Sequence, residues 1–341
     1  MKIAIIGPYP PPYGGISIHV QRLGALLNQE GFDTEIFPNI SARKWLADAR
    51  GNWFNYDVLH FHDVSWMNRV GIGLMGLMGF GVVLTIHGDS LKNQLTHAGW
   101  FKRSLLGFSM RHITHIVGVK TEIRDLLLSL GVEPSQVSVV NAYLPPVFEQ
   151  AHPVPDSIGE FVDSHYPLIV ANGFGAIPLS EETDLYGLEM IIDLCARLIG
   201  IHPKVGCLVF LAQIGDQNCY DELVSKVSQL GLNEQFRFII GENLAPTLKR
   251  ATIFVRPTFE DGYGISVTES LYFGVPALAS DVCEREPGAL IFKCGDAQDF
   301  YRCTQQVLGD YETAKKNALE AKPLSAYEQL LAIYQNIANI R

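Results

Sequence analysis

RPTFEDGYGISVTESLYFGVPALAS, residues 256–280, is the stretch from which the fold follows. It continues a β-branched run, ATIFVRPT from Ala251, and passes through a loop loosened by Gly262 and Gly264. ISVTESLYF then carries a short helical pattern that Gly274 and Pro276 end, and PALAS resumes a strand. Strand, glycine loop, helix, turn and strand together make one crossover unit of a parallel sheet. Free backbone amides at the head of such a helix, with Ser266 or Thr268 as candidate caps, favour an anionic group. Asp261 and Glu269 bracket the loop with seven residues between them. Two carboxylates so placed accept hydrogen bonds from ligand hydroxyls without needing a metal.

The same rhythm extends in both directions. Candidate strands begin at Lys2, Thr34, Asp57, Val82, His115 and Val137 in the first half, and at Pro167, Lys204, Gln235, Ala251, Pro276 and Gly288 in the second. Six per half predicts two similar α/β units, as does a length of 341 residues, which exceeds what one hydrophobic core usually organises. LPPVFEQAHPVP, residues 144–155, holds four prolines that suit neither a helix nor a central strand, and it is the predicted linker. The expected domains are residues 1–150 and 151–322. A helix carrying Leu330, Leu331, Ile333, Tyr334 and Ile337 at helical spacing follows in 323–341, and we expect it to pack at the domain junction.

Composition narrows the function. Hydrophobic residues make up 48% of the chain and charged ones 18%, as in a folded globular protein, and a net charge of −10 without a basic arm argues against nucleic acid as a partner. Six cysteines, all in the second half, form no C-x-x-C pair, so free thiols are expected and no metal set is predicted. The apolar run before the prolines of MKIAIIGPYPPP is too short for a signal-peptide core, which points to a cytoplasmic protein. Val70 to Ile86 is nearly free of charge, but its glycines and its VVLTIHG ending predict a helix, a turn and a buried strand instead of a membrane span.

Three further features bear on ligands. Gly14 and Gly15 precede Ile16, Val20, Leu23 and Leu27 at helical spacing, so the pair sits at a helix N-terminus where backbone amides approach an anion or a hydroxyl closely. This is not the G-x-G-x-x-G dinucleotide fingerprint, and NGFGAIP at Asn172 imitates it only in part. Between Trp66 and His112, Arg69, Lys92, Lys102, Arg103 and Arg111 face a single acid, Asp89. Interleaved with Leu91, Leu95, Trp100, Phe101, Leu105, Leu106 and Phe108, they suit anionic headgroups or a lipid-diphosphate acceptor, and equally a solvated helix face beside a core stripe.

The 256–280 element resembles the E-x7-E motif of glycosyltransferase family 4, with aspartate in place of the first glutamate. The resemblance covers almost the whole chain: the N-terminal GG loop, LHFHD, TIHG, VSVVNAYLPP and GVPALAS follow one another in the family's order. It implies a GT-B fold of two Rossmann-like domains, with ligands where the strand C-termini of the two halves face each other. The implied activity is transfer of a sugar from a nucleoside-diphosphate donor to a glycan or polyprenyl-diphosphate-linked acceptor. Retention of configuration and no bound metal or other cofactor are implied as well. The chain contains no D-x-D triplet, consistent with that. By the matching positions Asp261 and His87 contact the transferred sugar, Glu269 the ribose, and Gly14, Gly15, Gly262, Tyr263, Gly264, Ile265 and Ser266 the donor; His62 is a weaker candidate. Replacing Asp261 or Glu269 by alanine is expected to abolish transfer and leave the fold intact.

The chain also departs from the family. Members place an arginine and a lysine around the first C-terminal strand to neutralise the diphosphate; here Tyr186 stands at the lysine position and no arginine lies near it in sequence. Lys120 and Arg256, each at a strand end, are the candidate replacements. A silent nucleotide- or glycan-binding relative and a GT-B-like sugar-nucleotide epimerase are the alternatives.

Overall fold

The computed structural model describes residues 1–38, 53–62, 65–146, 153–180 and 183–340. Asp63 of LHFHD and residues 147–152 of the linker lie outside these. The chain divides into two compact units: Met1–Pro10, Gly15–Leu144 and Ser325–Arg341 form the first, Pro11–Gly14 and Pro145–Leu324 the second.

In the first unit six parallel strands, β1 Lys2–Gly7, β2 Asp33–Pro38, β3 Val58–Phe61, β4 Val82–Ile86, β5 His115–Gly118 and β6 Val137–Val139, pair in the order β2-β1-β3-β4-β5-β6. The helices are α1 Gly15–Gln29, α2 Trp66–Leu77, α3 Ser90–Thr96, α4 Trp100–Met110 and α5 Thr121–Ser129. β3 and β4 are buried along their whole length, which is why both read as unbroken apolar runs and not as alternating ones.

The second unit repeats the plan. Its helices are α6 Asp156–Ser164, α7 Leu188–Leu198, α8 Gln217–Gln229, α9 Ala245–Leu248, α10 Ile265–Tyr272, α11 Ala297–Gly309 and α12 Tyr311–Ala321. The strands β7 Leu168–Gly173, β8 Gly206–Leu211, β9 Phe236–Ile240, β10 Ile253–Arg256, β11 Ala277–Ser280 and β12 Leu290–Phe292 pair in parallel in the order β12-β11-β10-β7-β8-β9. Because side chains alternate across a strand, β7 feeds two cores: Ile169 and Ala171 pack with α7, α8 and α11, whereas Leu168 and Val170 pack with α6, α10 and α12. All twelve strands expected from the sequence form.

Both sheets reverse their strand order once, between β1 and β3 and between β7 and β10. Ligands of open parallel sheets bind beyond the strand C-termini at such switch points. The run from Val70 to Ile86 forms the end of α2, a turn and β4, as its glycines predicted. Among the described residues no helix is long and apolar enough to cross a membrane.

The last helix is α13 Tyr327–Ile340. It belongs to the first unit: Tyr327, Leu330, Ile333, Tyr334 and Ile337 share one core with Ile3 and Ile5 of β1, Val58 of β3 and Val20 and Leu23 of α1. The apolar stripe seen in sequence is spent on covering one face of this sheet. Inside that core Tyr334 is fully buried, and its hydroxyl hydrogen-bonds to His60 Nδ1.

Candidate functional site

In the first unit the switch point is lined by imidazoles. His60 lies in β3 and His62 directly after it, two residues on and therefore on the same side of the chain; His87 directly follows β4. His19 comes from the first turns of α1, behind Gly14 and Gly15, which stand at the helix start as expected. His62 Nδ1 and His87 Nε2 are 3.0 Å apart and share a hydrogen bond. His19 Nδ1 is 2.9 Å from the Ala142 carbonyl oxygen, and His60 Nε2 is 2.7 Å from Thr85 Oγ1. Burial lowers the pKa of all four: His19 to about 4, against a backbone hydrogen bond that opposes the shift, and His60, His62 and His87 well below the usual imidazole value, neighbouring histidines adding to the effect. At neutral pH this is a cluster of uncharged rings.

The second unit's switch point is charged. Arg256 ends β10, and Asn172 lies near the end of β7. Arg256 grips Asp261 with two nitrogens, Nε to Oδ2 and Nη2 to Oδ1, the latter at 3.0 Å. Its Nη1 donates to Asn172 Oδ1 at 3.0 Å. Arg285, its side chain almost fully buried, donates through Nη1 to the same Asp261 Oδ2 at 2.6 Å and through Nε to the Ser280 carbonyl at 3.0 Å. The Gly262 amide completes the set by donating to Asp261 Oδ1 at 3.0 Å. Burial alone would raise the Asp261 pKa; the two guanidiniums overcome it and hold the carboxyl far below the usual range. Two cations therefore converge on one anion in front of α10.

Gly264 caps α10 in the left-handed conformation, φ +76°, and a Cβ there would stand 2.5 Å from Arg285 Nη1. Only glycine admits both the turn and the guanidinium. Ile265 opens the helix and Glu269 is buried within it. Neither expected side-chain cap forms: the Ser266 hydroxyl donates instead to Asn172 Oδ1 at 2.8 Å, and among the described residues no side chain caps this helix. Tyr263 donates its hydroxyl to Glu286 at 2.6 Å, and burial, then that hydrogen bond, pushes its pKa up.

The structure places the other sequence candidates as follows. Asp261 is the hub of an ion-pair network. Lys120, foreseen as a diphosphate cation, is engaged in its own unit by Asp89, 2.9 Å away. Tyr186, at the position where a lysine was expected, packs its ring on Gly173, where a Cβ would come within 2.8 Å of it. Arg69 is fully buried and donates to Gln94 and Ser90, so it leaves the basic patch. Leu91, Leu95 and Leu106 are core, whereas Trp100, Phe101 and Phe108 are exposed. Sequence reading missed Arg285, which follows Asp261 by 24 residues without a motif to mark it, and the role of Asn172. It also missed His19, whose partners come from elsewhere in the chain.

Two family models match this chain: "Glycosyltransferase Family 4" over residues 37–142 and "Glycosyl transferases group 1" over residues 184–322. By these two matches together the chain is a family 4-type glycosyltransferase. Within the family it is 29% identical over 111 residues to the lipopolysaccharide core biosynthesis mannosyltransferase LpsB of Rhizobium meliloti, a match spanning 32% of this chain and 30% of the relative. Its fold is that of solved GT-B structures: Alr3699/HepE of Anabaena, crystallised with UDP, superposes with TM-score 0.68 at 15% identity over 100% of this chain and 99% of the other. The catalytic domain of starch synthase IV from Arabidopsis thaliana, bound to ADP and acarbose, gives 0.71 at 12% identity over 99% of each. The family's two Rossmann-like domains are the two units described above.

Proposed function

We propose that this family 4 member transfers a sugar from a nucleoside-diphosphate donor to a glycan or polyprenyl-diphosphate-linked acceptor, with retention of configuration and without a metal. The observation that carries the reading is the Arg256–Asp261–Arg285 cluster at the switch point of the second unit. A diphosphate leaving group gains negative charge as its bond to the sugar breaks, and helix-end amides supply only partial charges. Arg256 and Arg285, prearranged by Asp261 and Asn172, supply full ones at no cost in reorganisation. Glu269 holds the ribose, His87 contacts the transferred sugar, and the amides of Gly262, Tyr263, Gly264, Ile265 and Ser266 with those of Gly14 and Gly15 receive donor oxygens. The bond from the anomeric carbon to the phosphate oxygen breaks while the acceptor hydroxyl attacks from the same face, and its proton passes to the departing phosphate oxygen. UDP bound to the Anabaena relative supports a nucleotide donor, and the Rhizobium relative supports a lipopolysaccharide-type acceptor.

A thermal-shift panel of UDP, GDP and ADP with their sugars, followed by a transfer assay with and without EDTA, tests this. We expect one nucleotide family to stabilise the protein, transfer to survive chelation and Glu269→Ala to lose at least 100-fold in rate, about 2.7 kcal/mol of transition-state binding. No nucleotide response, or activity lost in EDTA and restored by manganese, would sink the reading. Tyr186 in the lysine position favours a second reading, a binding protein without turnover; donor hydrolysis excludes it.

A further inference from the structure

Three histidines of the first unit, His19, His62 and His87, each present one ring nitrogen within 4.8 Å of one nitrogen of each of the others. Carbonyl oxygens only accept hydrogen bonds, so the contact with Ala142 O fixes the proton of His19 on Nδ1 and leaves Nε2 with its lone pair. That Nε2 is buried and has no hydrogen-bond partner among the described residues. His62 Nε2 is likewise buried and without a partner among the described residues, and it keeps its lone pair when the proton shared with His87 sits on His62 Nδ1. His19 and His62 are 3% and 2% exposed, so water does not meet the deficit from bulk. Buried polar atoms without partners are uncommon enough that two in one cluster call for a ligand.

We propose that His19, His62 and His87 form a binding site for one borderline divalent transition-metal ion of the zinc, nickel or copper class. Uncharged imidazoles are the ligands such ions prefer, and a set without carboxylates disfavours magnesium and calcium. The hydrogen bond from His19 Nδ1 to a backbone carbonyl is the outer contact that orients a ligating histidine. Tetrahedral ligands about 2.0–2.1 Å from one ion stand about 3.3 Å apart. One nitrogen from each of the three rings already lies within 4.8 Å of the others, so the set closes on one ion by shifts of about 1.5 Å or less. Three protein ligands leave the fourth position open. The ion is not required for transfer. His87 is also the residue we place on the donor sugar, so, resting on that reading, a bound ion withdraws it and zinc inhibits.

The test begins with the full chain stripped by chelator. Calorimetric titration with zinc is expected to show one ion per chain, and the cobalt-loaded protein is expected to show the visible absorption of a tetrahedral nitrogen site without the thiolate charge-transfer band that the free cysteines would give. His19→Phe and, separately, His62→Asn are expected to weaken zinc binding at least 100-fold with an unchanged circular dichroism spectrum. Absence of stoichiometric binding, a thiolate band, or equal affinity in folded variants overturns the site, and the cobalt spectrum of the wild-type chain decides alone if the variants do not fold. Zinc bound with these signatures while transfer continues unchanged leaves the site standing and removes His87 from the donor.

Discussion

The two units share an architecture and place their chemistry at the same point of it, beyond the strand ends where the order reverses, yet they fill that point in opposite ways. The first gathers His19, His60, His62 and His87, uncharged at neutral pH because burial disfavours the cation. The second gathers Arg256, Asp261 and Arg285, buried but charged because each ion has a partner. A neutral, hydrogen-bonding surface suits sugar hydroxyls, and a site with two cations to one anion suits a diphosphate. On the function proposed above, one fold would serve two ligand chemistries through side chains at a few strand ends.

The largest effect that can break this comparison is expected from Asp261→Ala. It leaves two guanidiniums buried without their shared anion, which costs about 3–5 kcal/mol. This replaces the sequence-based expectation that the variant keeps its fold intact. Denaturant unfolding measures it, and a loss below about 1 kcal/mol would mean the network is solvated and not a buried hub.

A second effect separates the units by pH. The folded-state pKa of each clustered histidine lies below its unfolded value of about 6.5, so the unfolded chain binds protons that the native one refuses. Stability from these groups is complete above about pH 6.5 and is lost as pH falls toward 4; His19 alone, with its pKa of about 4, accounts for about 3 kcal/mol. Asp261 behaves differently. Its folded pKa is depressed below the unfolded value of about 3.9, so its contribution persists above that pH and fades only in stronger acid. Hydrogen exchange at pH 5 is therefore expected to loosen amides of the first unit before those of the second. Uniform loosening would contradict the contrast.

The smallest effect concerns the surface. Trp100, Phe101, Met67 and Met78, at 81%, 66%, 62% and 59% exposure, accompany Lys92, Lys102 and Arg103 in the first unit. We expect salt-sensitive binding to vesicles containing anionic lipid, weakened where screening falls within about 10 Å at 0.1 M salt. Equal sedimentation with neutral and anionic vesicles, or none with either, would reduce the patch to a solvated face.

The strands were legible because a parallel sheet buried on both faces writes itself as short, β-branched apolar runs bounded by turn residues, such as KIAIIG and VVLTIH. Asp261, Glu269 and the glycine loop were legible because they lie close together in sequence. What joins distant positions was not. Asp261 meets Arg285 across β11, His19 meets His62 and His87 across two crossovers, and α13 returns to the sheet begun by Lys2; only topology decides such pairs. Arg69 shows the same limit in reverse, since its charge suggested the surface while Ser90 and Gln94 waited for it inside.

The most direct measurement is calorimetric binding of the responding nucleoside diphosphate and of its nucleoside to wild type, Arg256→Met and Arg285→Met, each checked for an intact circular dichroism spectrum. If the two arginines form the diphosphate site, each variant weakens the diphosphate at least tenfold, about 1.4 kcal/mol, and the nucleoside hardly at all. Equal losses for both ligands, or full affinity in both variants, would contradict the account.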